Sequence, residues 1–463
     1  MTAPARIAAY HALRAIGDER ADLPSALAQA RAHLPDERDR GLAAEIVNGS
    51  LRWQRSLDHL VEHFANRPLG KVDRDVLHIL RLSLYQILHL DRVPASAVVD
   101  DAVDLTRHAR KGSAAGFVNA VLRSALRQRH RLPLPPRPAL SERGEAKGAG
   151  LDRDAAIAYL GITHSHPDWL VGRWVDRYGL EAAERWVHFN NETPRLTIRA
   201  NTLRGTRDGV AASLAAAGVE TEPTRHAPDG LTVTAGNPLR IPADGSFFVQ
   251  DEASQLVSVA AGARPGERVL DLCASPGGKT VAMAADMDDR GVLVACDVRA
   301  KRVTLLHDTV RMSGARCIRL TRVPAAGPLP FAPVFDRVLV DAPCSGLGTI
   351  RRDPDIRWRR HERDLAALAA DQLALLDRAA AVLRAGGRLV YATCSSEPEE
   401  NEAVVDAFLS RHSEFAPVDL RTESAPRLQP LLQPLLDERG MLRTLPFAHG
   451  LEAFCAAVVV RSR

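Results

Sequence analysis

Four apolar segments in the second half of the chain, RVLDLC, GVLVACDV, FDRVLVDAP and GRLVYATC, do most to limit how it can fold. Each is nearly continuous in aliphatic residues, the pattern of a strand buried on both faces, and each has a helical stretch before or after it. Repeated strand, loop and helix after Phe247 predict a parallel sheet with helices on both sides. The first part of the chain differs. From Ala5 to Gln128 apolar residues recur at every third or fourth position, as in VLHILRLSLYQILHL, which predicts an all-α bundle. Arg131 to Gly150 concentrates Pro, Gly and charge and reads as a linker. Between Asp152 and Gly245 helices alternate with short strands such as PRLTIRAN and GLTVTAG, a small α+β module. The expected domains are helical over 1–130, a linker over 131–150, an α+β module over 151–245 and an α/β domain over 246–463.

Apolar residues make up 46% and charged residues 25%, ordinary globular values that exclude a largely disordered chain. No apolar run has membrane-spanning length, and MTAPARIAAYHALRAIGDER lacks a signal-peptide core, so a cytoplasmic protein without membrane association is expected. Lys and Arg number 61 against 57 Asp and Glu, a surplus that permits a polyanionic partner without demanding one. Its distribution is more telling. Leu105 to Ser141 has no carboxylate, while Arg107, Arg110, Lys111 and further arginines accumulate there, either as a polyanion-binding patch or as solvated helix faces. The 6 cysteines form no CxxC pair and no His cluster stands at metal-ligand spacing, so no metal is expected.

VLDLCASPGGKT, Val269 to Thr280, runs from a strand through a small-residue loop into a helix. Pro276, Gly277 and Gly278 let the backbone turn tightly and approach a ligand. A Walker phosphate loop would need Gly where Cys273 stands, and the GxGxxG dinucleotide fingerprint is absent. What remains is an adenosine-type ligand without phosphates. Asp297, closing GVLVACD, is placed either to accept ribose hydroxyls or to cap the helix that follows. Asp341 to Trp358, DAPCSGLGTIRRDPDIRW, brings a carboxylate, a thiol and then Arg351 and Arg352 from the end of another strand, and GRLVYATC ends on a second thiol, Cys394. Two thiols at neighbouring rim positions beside one carboxylate are hard to explain as packing.

DLCASPGGKT, DAPCSGLGTIRRDPDIRW and YATCSSEPEENE resemble the cofactor, proline-cysteine and threonine-cysteine motifs of the RNA cytosine-5 methyltransferases. DRGLAAEIVNGSLRW and the helices up to VNAVLR resemble the RNA-binding domain of the antitermination factor NusB. Their fusion, with RANTLR and FFVQDEASQLV between them, resembles the RsmB (Sun, Fmu) type of 16S ribosomal RNA methyltransferase.

The resemblance implies a NusB-like helical domain, an RRM-like α+β module and a Rossmann-like methyltransferase domain. S-Adenosyl-L-methionine would be held by Cys273, Ala274, Ser275, Pro276, Gly277, Gly278, Lys279, Asp297 and Asp341. Cys394 would attack carbon 6 of cytosine, Cys344 would assist release after methyl transfer to carbon 5, and Asp341 would bond the base at N3 with a shared or bound proton. Arg107, Arg110, Lys111, Arg351 and Arg352 would meet phosphates of RNA, bound by a monomer. The chain departs from the family at Val323, about where an acid normally reads the adenine amino group, which predicts weaker cofactor affinity. Another RNA such as tRNA as substrate, or an RNA-binding factor with weak catalysis, are the competing expectations.

Overall fold

The computed structural model describes residues 3–139, 152–422 and 429–463. It divides into two compact units, one formed by 1–192 with 350–359 and the other by 193–349 with 360–463. The expected linker end, residues 140–150, lies outside the described residues. Within the first unit, 131–139 is tied down: Pro133 O accepts from His59 and Pro135 O from Thr163. The helices Arg153–Ala158, Asp168–Tyr178 and Leu180–Asn191 belong to this same unit, so the division falls after Glu192.

In the first unit, helices Pro4–Gly17, Leu23–Ala32, Glu37–Arg52, Gln54–Ala65, Arg74–His89, Ala95–His108 and Ala115–Arg127 form the expected bundle. Arg74–His89 starts where the Asp73 carboxylate accepts from the free N–H groups of Asp75 and Val76. It buries Ile79, Leu80, Leu82 and Leu84 completely, so little of it faces water. Its one awkward charge, Arg81, is met by a two-pronged pair with Asp58 at 2.6 and 2.7 Å.

The second unit holds two sheets. The smaller has strands β1 (Thr197–Ala200), β2 (Glu220–Pro223), β3 (Gly230–Ala235) and β4 (Phe247–Val249) in the order β2-β3-β1-β4, all antiparallel. The larger comprises β5 (Arg268–Asp271), β6 (Val292–Asp297), β7 (Ile318–Arg322), β8 (Phe335–Asp341), β9 (Leu383–Thr393), β10 (Phe415–Val418), β11 (Leu442–Arg443) and β12 (Cys455–Arg461). Its order is β10-β12-β9-β8-β5-β6-β7, with β11 paired to β12. Strands β7, β6, β5, β8 and β9 are parallel, whereas β12 and β10 add an antiparallel edge that the helix-strand alternation did not predict.

Successive strand residues point to opposite faces. Val269, Leu293, Leu339 and Val390 accordingly enter one core, with Leu256 and Val281 from the helices Glu252–Ala261 and Gly278–Asp286. Leu270, Val338, Val340 and Leu389 enter the other, with Leu376 and Phe408 from Asp364–Val382 and Glu402–Arg411. The connections reverse direction between β5 and β8. In such a sheet the crevice beyond the carboxyl ends of those two strands is where ligands bind. No described helix is long and apolar enough to cross a membrane.

Candidate active site

Beyond β5 the chain leaves the sheet through Leu272 and Cys273, pinned by Leu272 N–H to Leu339 O at 3.0 Å and Ala274 N–H to Cys296 O at 2.9 Å. Gly277 turns it with φ of +110°, and a Cβ there would sit 2.9 Å from Leu306. The left-handed φ is what favours glycine there. The helix Gly278–Asp286 follows, and its Thr280 hydroxyl donates to Asp271 at 2.7 Å. Asp271 is enclosed, and burial pushes its carboxyl up to about 7 despite that bond.

Asp297 closes β6, and its Oδ1 accepts from Arg299 N–H at 3.0 Å in the turn before the helix Ala300–Ser313, which has no side-chain cap. It also lines a cavity of about 740 Å³ with Leu272, Cys273, Val298 and Pro343. That volume lies in the range of small-molecule sites. The buried Ser275 hydroxyl in the adjoining loop has no partner among the described residues, so the loop retains a polar group for a ligand to satisfy. Val323 is buried and offers only backbone here, its N–H donating to Asp297 O at 3.2 Å. Asp371 and Asp377, which sequence reading did not single out, supply further carboxylates to the cavity wall.

The second cluster forms where β8 and β9 end. Lys279 Nζ donates to Asp341 Oδ2 at 2.7 Å. Burial alone would depress the Lys279 ammonium, but the charges of Asp341 and Cys394 raise it above its ordinary value. Cys344 Sγ lies 3.1 Å from Cys394 Sγ and accepts from Cys394 N–H at 3.3 Å. The Cys344 thiol is held well above its usual range, first by its bond to Cys394 and next by burial. Both cysteines are only partly buried. Cys296, Cys317 and Cys455 are buried, and burial pushes their thiols up to about 12. Cys273 is raised further for the same reason.

The anticipated site residues 273–279, 297, 341, 344 and 394 therefore all fall in the second unit. Arg107, Arg110, Lys111, Arg351 and Arg352 fall in the first. Lys111 pairs with Asp73 at 2.6 Å and Arg107 with Asp104 at 2.7 Å, so part of the basic stretch is already neutralised. The Arg351 guanidinium stacks 3.8 Å above the Phe189 ring. Nearby Arg357 is completely buried and donates to Ser165 O, Asn191 Oδ1, Arg52 O and Asn190 O at 2.9 to 3.3 Å.

Sequence reading also missed a cluster of His164, Glu184 and His188, whose ligand atoms lie within 4.8 Å of one another. Glu184 and His188 share the helix Leu180–Asn191 one turn apart, whereas His164 stands before it in the chain, and only the fold brings the three together. The Glu184 carboxylate is already committed to Arg137 Nε at 2.9 Å and the Tyr159 hydroxyl at 2.7 Å.

A doubly wound sheet whose strand β5 runs into a glycine loop, a strand-end acid and Cys273 opening on one cavity, and thiols on the adjoining strand ends fit a methyltransferase that uses S-adenosyl-L-methionine. Comparison with known proteins carries this further. A model described as 16S rRNA methyltransferase RsmB/F matches residues 259–460, the NusB family matches 3–127, and the ferredoxin-like domain of RsmF/B-like methyltransferases matches 166–240. The probable ribosomal RNA small subunit methyltransferase B of Bacillus subtilis is 35% identical over 90% of each chain. The ribosomal RNA small subunit methyltransferase B of Pseudomonas putida is 36% identical over 94% of this chain and 95% of its own. The crystal structure of PH0851 has a TM-score of 0.78 at 25% identity, covering 99% of each chain. The chain belongs to the RsmB/F family of ribosomal RNA methyltransferases.

Proposed function

We propose that the protein methylates carbon 5 of a cytosine in 16S ribosomal RNA through a covalent bond between Cys394 and carbon 6 of the base. The observation that carries this reading is the 3.1 Å approach of the Cys344 and Cys394 sulfurs, next to the Lys279–Asp341 pair. Carbon 5 of cytosine is a weak nucleophile, and thiolate addition at carbon 6 turns it into an enamine-like one. Asp341 orients the ring at N3 with a shared or bound proton. Bound S-adenosyl-L-methionine supplies the methyl group as an electrophile, with Asp297 and the 273–279 loop as its holders. Loss of the carbon 5 proton to solvent returns its electron pair to the ring and breaks the bond between carbon 6 and the Cys394 sulfur, a release that Cys344 assists.

A base must leave its stack to meet these thiols, which favours single-stranded or loop RNA. Arg107, Arg110, Lys111, Arg351 and Arg352 contribute contacts to phosphates, which carry affinity but little sequence information. Bisulfite sequencing of small-subunit ribosomal RNA tests the reading. One cytosine that resists conversion in wild-type cells should convert in cells lacking the protein and in cells carrying Cys394→Ala. No change at any cytosine would overturn it.

A further inference from the structure

The ladder between β8 and β9 ends with Asp341 opposite Ala392, yet both thiols lie beyond that point. Strand pairing alone does not fix the distance between them. Glu400, in the turn Pro398–Glu400, is fully buried and joins the two loops that carry them. Its Oε1 accepts from Ser345 N–H at 2.8 Å and from Gln372 Nε2 at 3.0 Å. Its Oε2 accepts from the Ser345 and Ser395 hydroxyls, each at 2.5 Å, and these hydroxyls are themselves 3.1 Å apart. Ser345 follows Cys344 and Ser395 follows Cys394 in the chain. Gln372 also donates to Pro343 O at 3.0 Å, which steadies the residue before Cys344.

A buried carboxyl group with every donor engaged resists displacement, because moving either loop would strand polar groups away from water. We propose that Glu400 is a positioning residue that sets the separation of Cys344 and Cys394 by tying the loop after each to one carboxyl group. The inference rests on the division of labour proposed above: forming the bond to the base uses Cys394, whereas releasing it needs both sulfurs in register. Disturbing Glu400 should therefore slow release more than attack.

The test compares Glu400→Ala, Glu400→Gln and the double variant Ser345→Ala with Ser395→Ala as full-length proteins with ribosomal RNA. Cofactor affinity by calorimetry, kcat, KM and the covalent protein–RNA adduct at steady state are measured on each. A loss of an ångström in register costs on the order of 100-fold in rate, so Glu400→Ala should lower kcat by that order. Cofactor affinity should be retained and adduct should accumulate. Glu400→Gln, which keeps an acceptor for Ser345 and Gln372, should recover part of the rate. The double serine variant keeps the carboxyl group but cuts its links, and should show the same excess of adduct if Glu400→Ala does not fold. Wild-type turnover in the glutamine and double serine variants would overturn the proposal, as would a fall in kcat that merely follows lost cofactor binding without adduct. Cys394→Ala separates the two layers of argument. If that variant still methylates, the underlying mechanism has failed; if it is inactive while the Glu400 variants release normally, only the positioning role has.

Discussion

Asp271→Asn should remove the pH dependence of stability contributed by the end of β5. Asp271 is 1% exposed, accepts from Thr280 through Oδ2, and leaves Oδ1 without a hydrogen-bond partner among the described residues. Burial is the leading cause that lifts its carboxyl from 3.8 to about 7. The folded protein thus holds this proton more tightly than the unfolded chain. The associated stability is fully present below pH 3.8 and is lost as pH rises through about 7. At 1.36 kcal/mol per tenfold change in proton affinity, the total is about 4 kcal/mol, of which about 3 kcal/mol falls between pH 5 and 8. Asparagine can accept from Thr280 through its carbonyl, but its amide would be stranded where Oδ1 now sits, at a cost of about 1–3 kcal/mol. That cost does not vary with pH and cancels in the comparison. Urea denaturation of both proteins from pH 5 to 9 should show the variant gaining about 3 kcal/mol relative to wild type as pH rises. A stability difference that stays flat across this range would refute the reasoning.

Two other perturbations follow from the first unit. Arg357→Ala removes the donor for four carbonyl or amide oxygens and empties a fully buried site, so the unfolding transition of the helical unit should shift by about 2–4 kcal/mol in urea. An unchanged midpoint would contradict it. Arg110→Ala, at an exposed position, should weaken binding to all RNA sequences alike and reduce the slope of log affinity against log salt by about 1, as read by filter binding. A sequence-selective loss with an unchanged slope would point to base contact instead.

Much of the methyltransferase domain was legible because β5, β6, β8 and β9 are buried on both faces and so carry little but aliphatic residues. Strand ends then told where Asp297, Asp341, Cys344 and Cys394 would stand, since a doubly wound sheet gathers its ligand groups at one rim. Strand β12, CAAVVVR, has the same composition, but its place depends on antiparallel pairing with β9 across a long stretch of chain and no local pattern encodes that. Arginine-rich composition could not distinguish Arg357, sealed under the helices, from a residue awaiting phosphate. Lys279 was read only as part of the cofactor loop because its partner, Asp341, is 62 residues away. Glu400 lay within a motif already noted, yet its role emerges only when both cysteine loops are seen to end on one carboxyl group.

The central claim, attack by Cys394, is tested most directly with ribosomal RNA carrying 5-fluorocytosine, whose fluorine blocks the final elimination and leaves the adduct in place. Tryptic digestion separates Leu389–Arg411, with Cys394, from Val338–Arg351, with Cys344. Mass spectrometry should find the nucleotide on the Cys394 peptide. Its appearance on the Cys344 peptide, or on neither, would contradict the account.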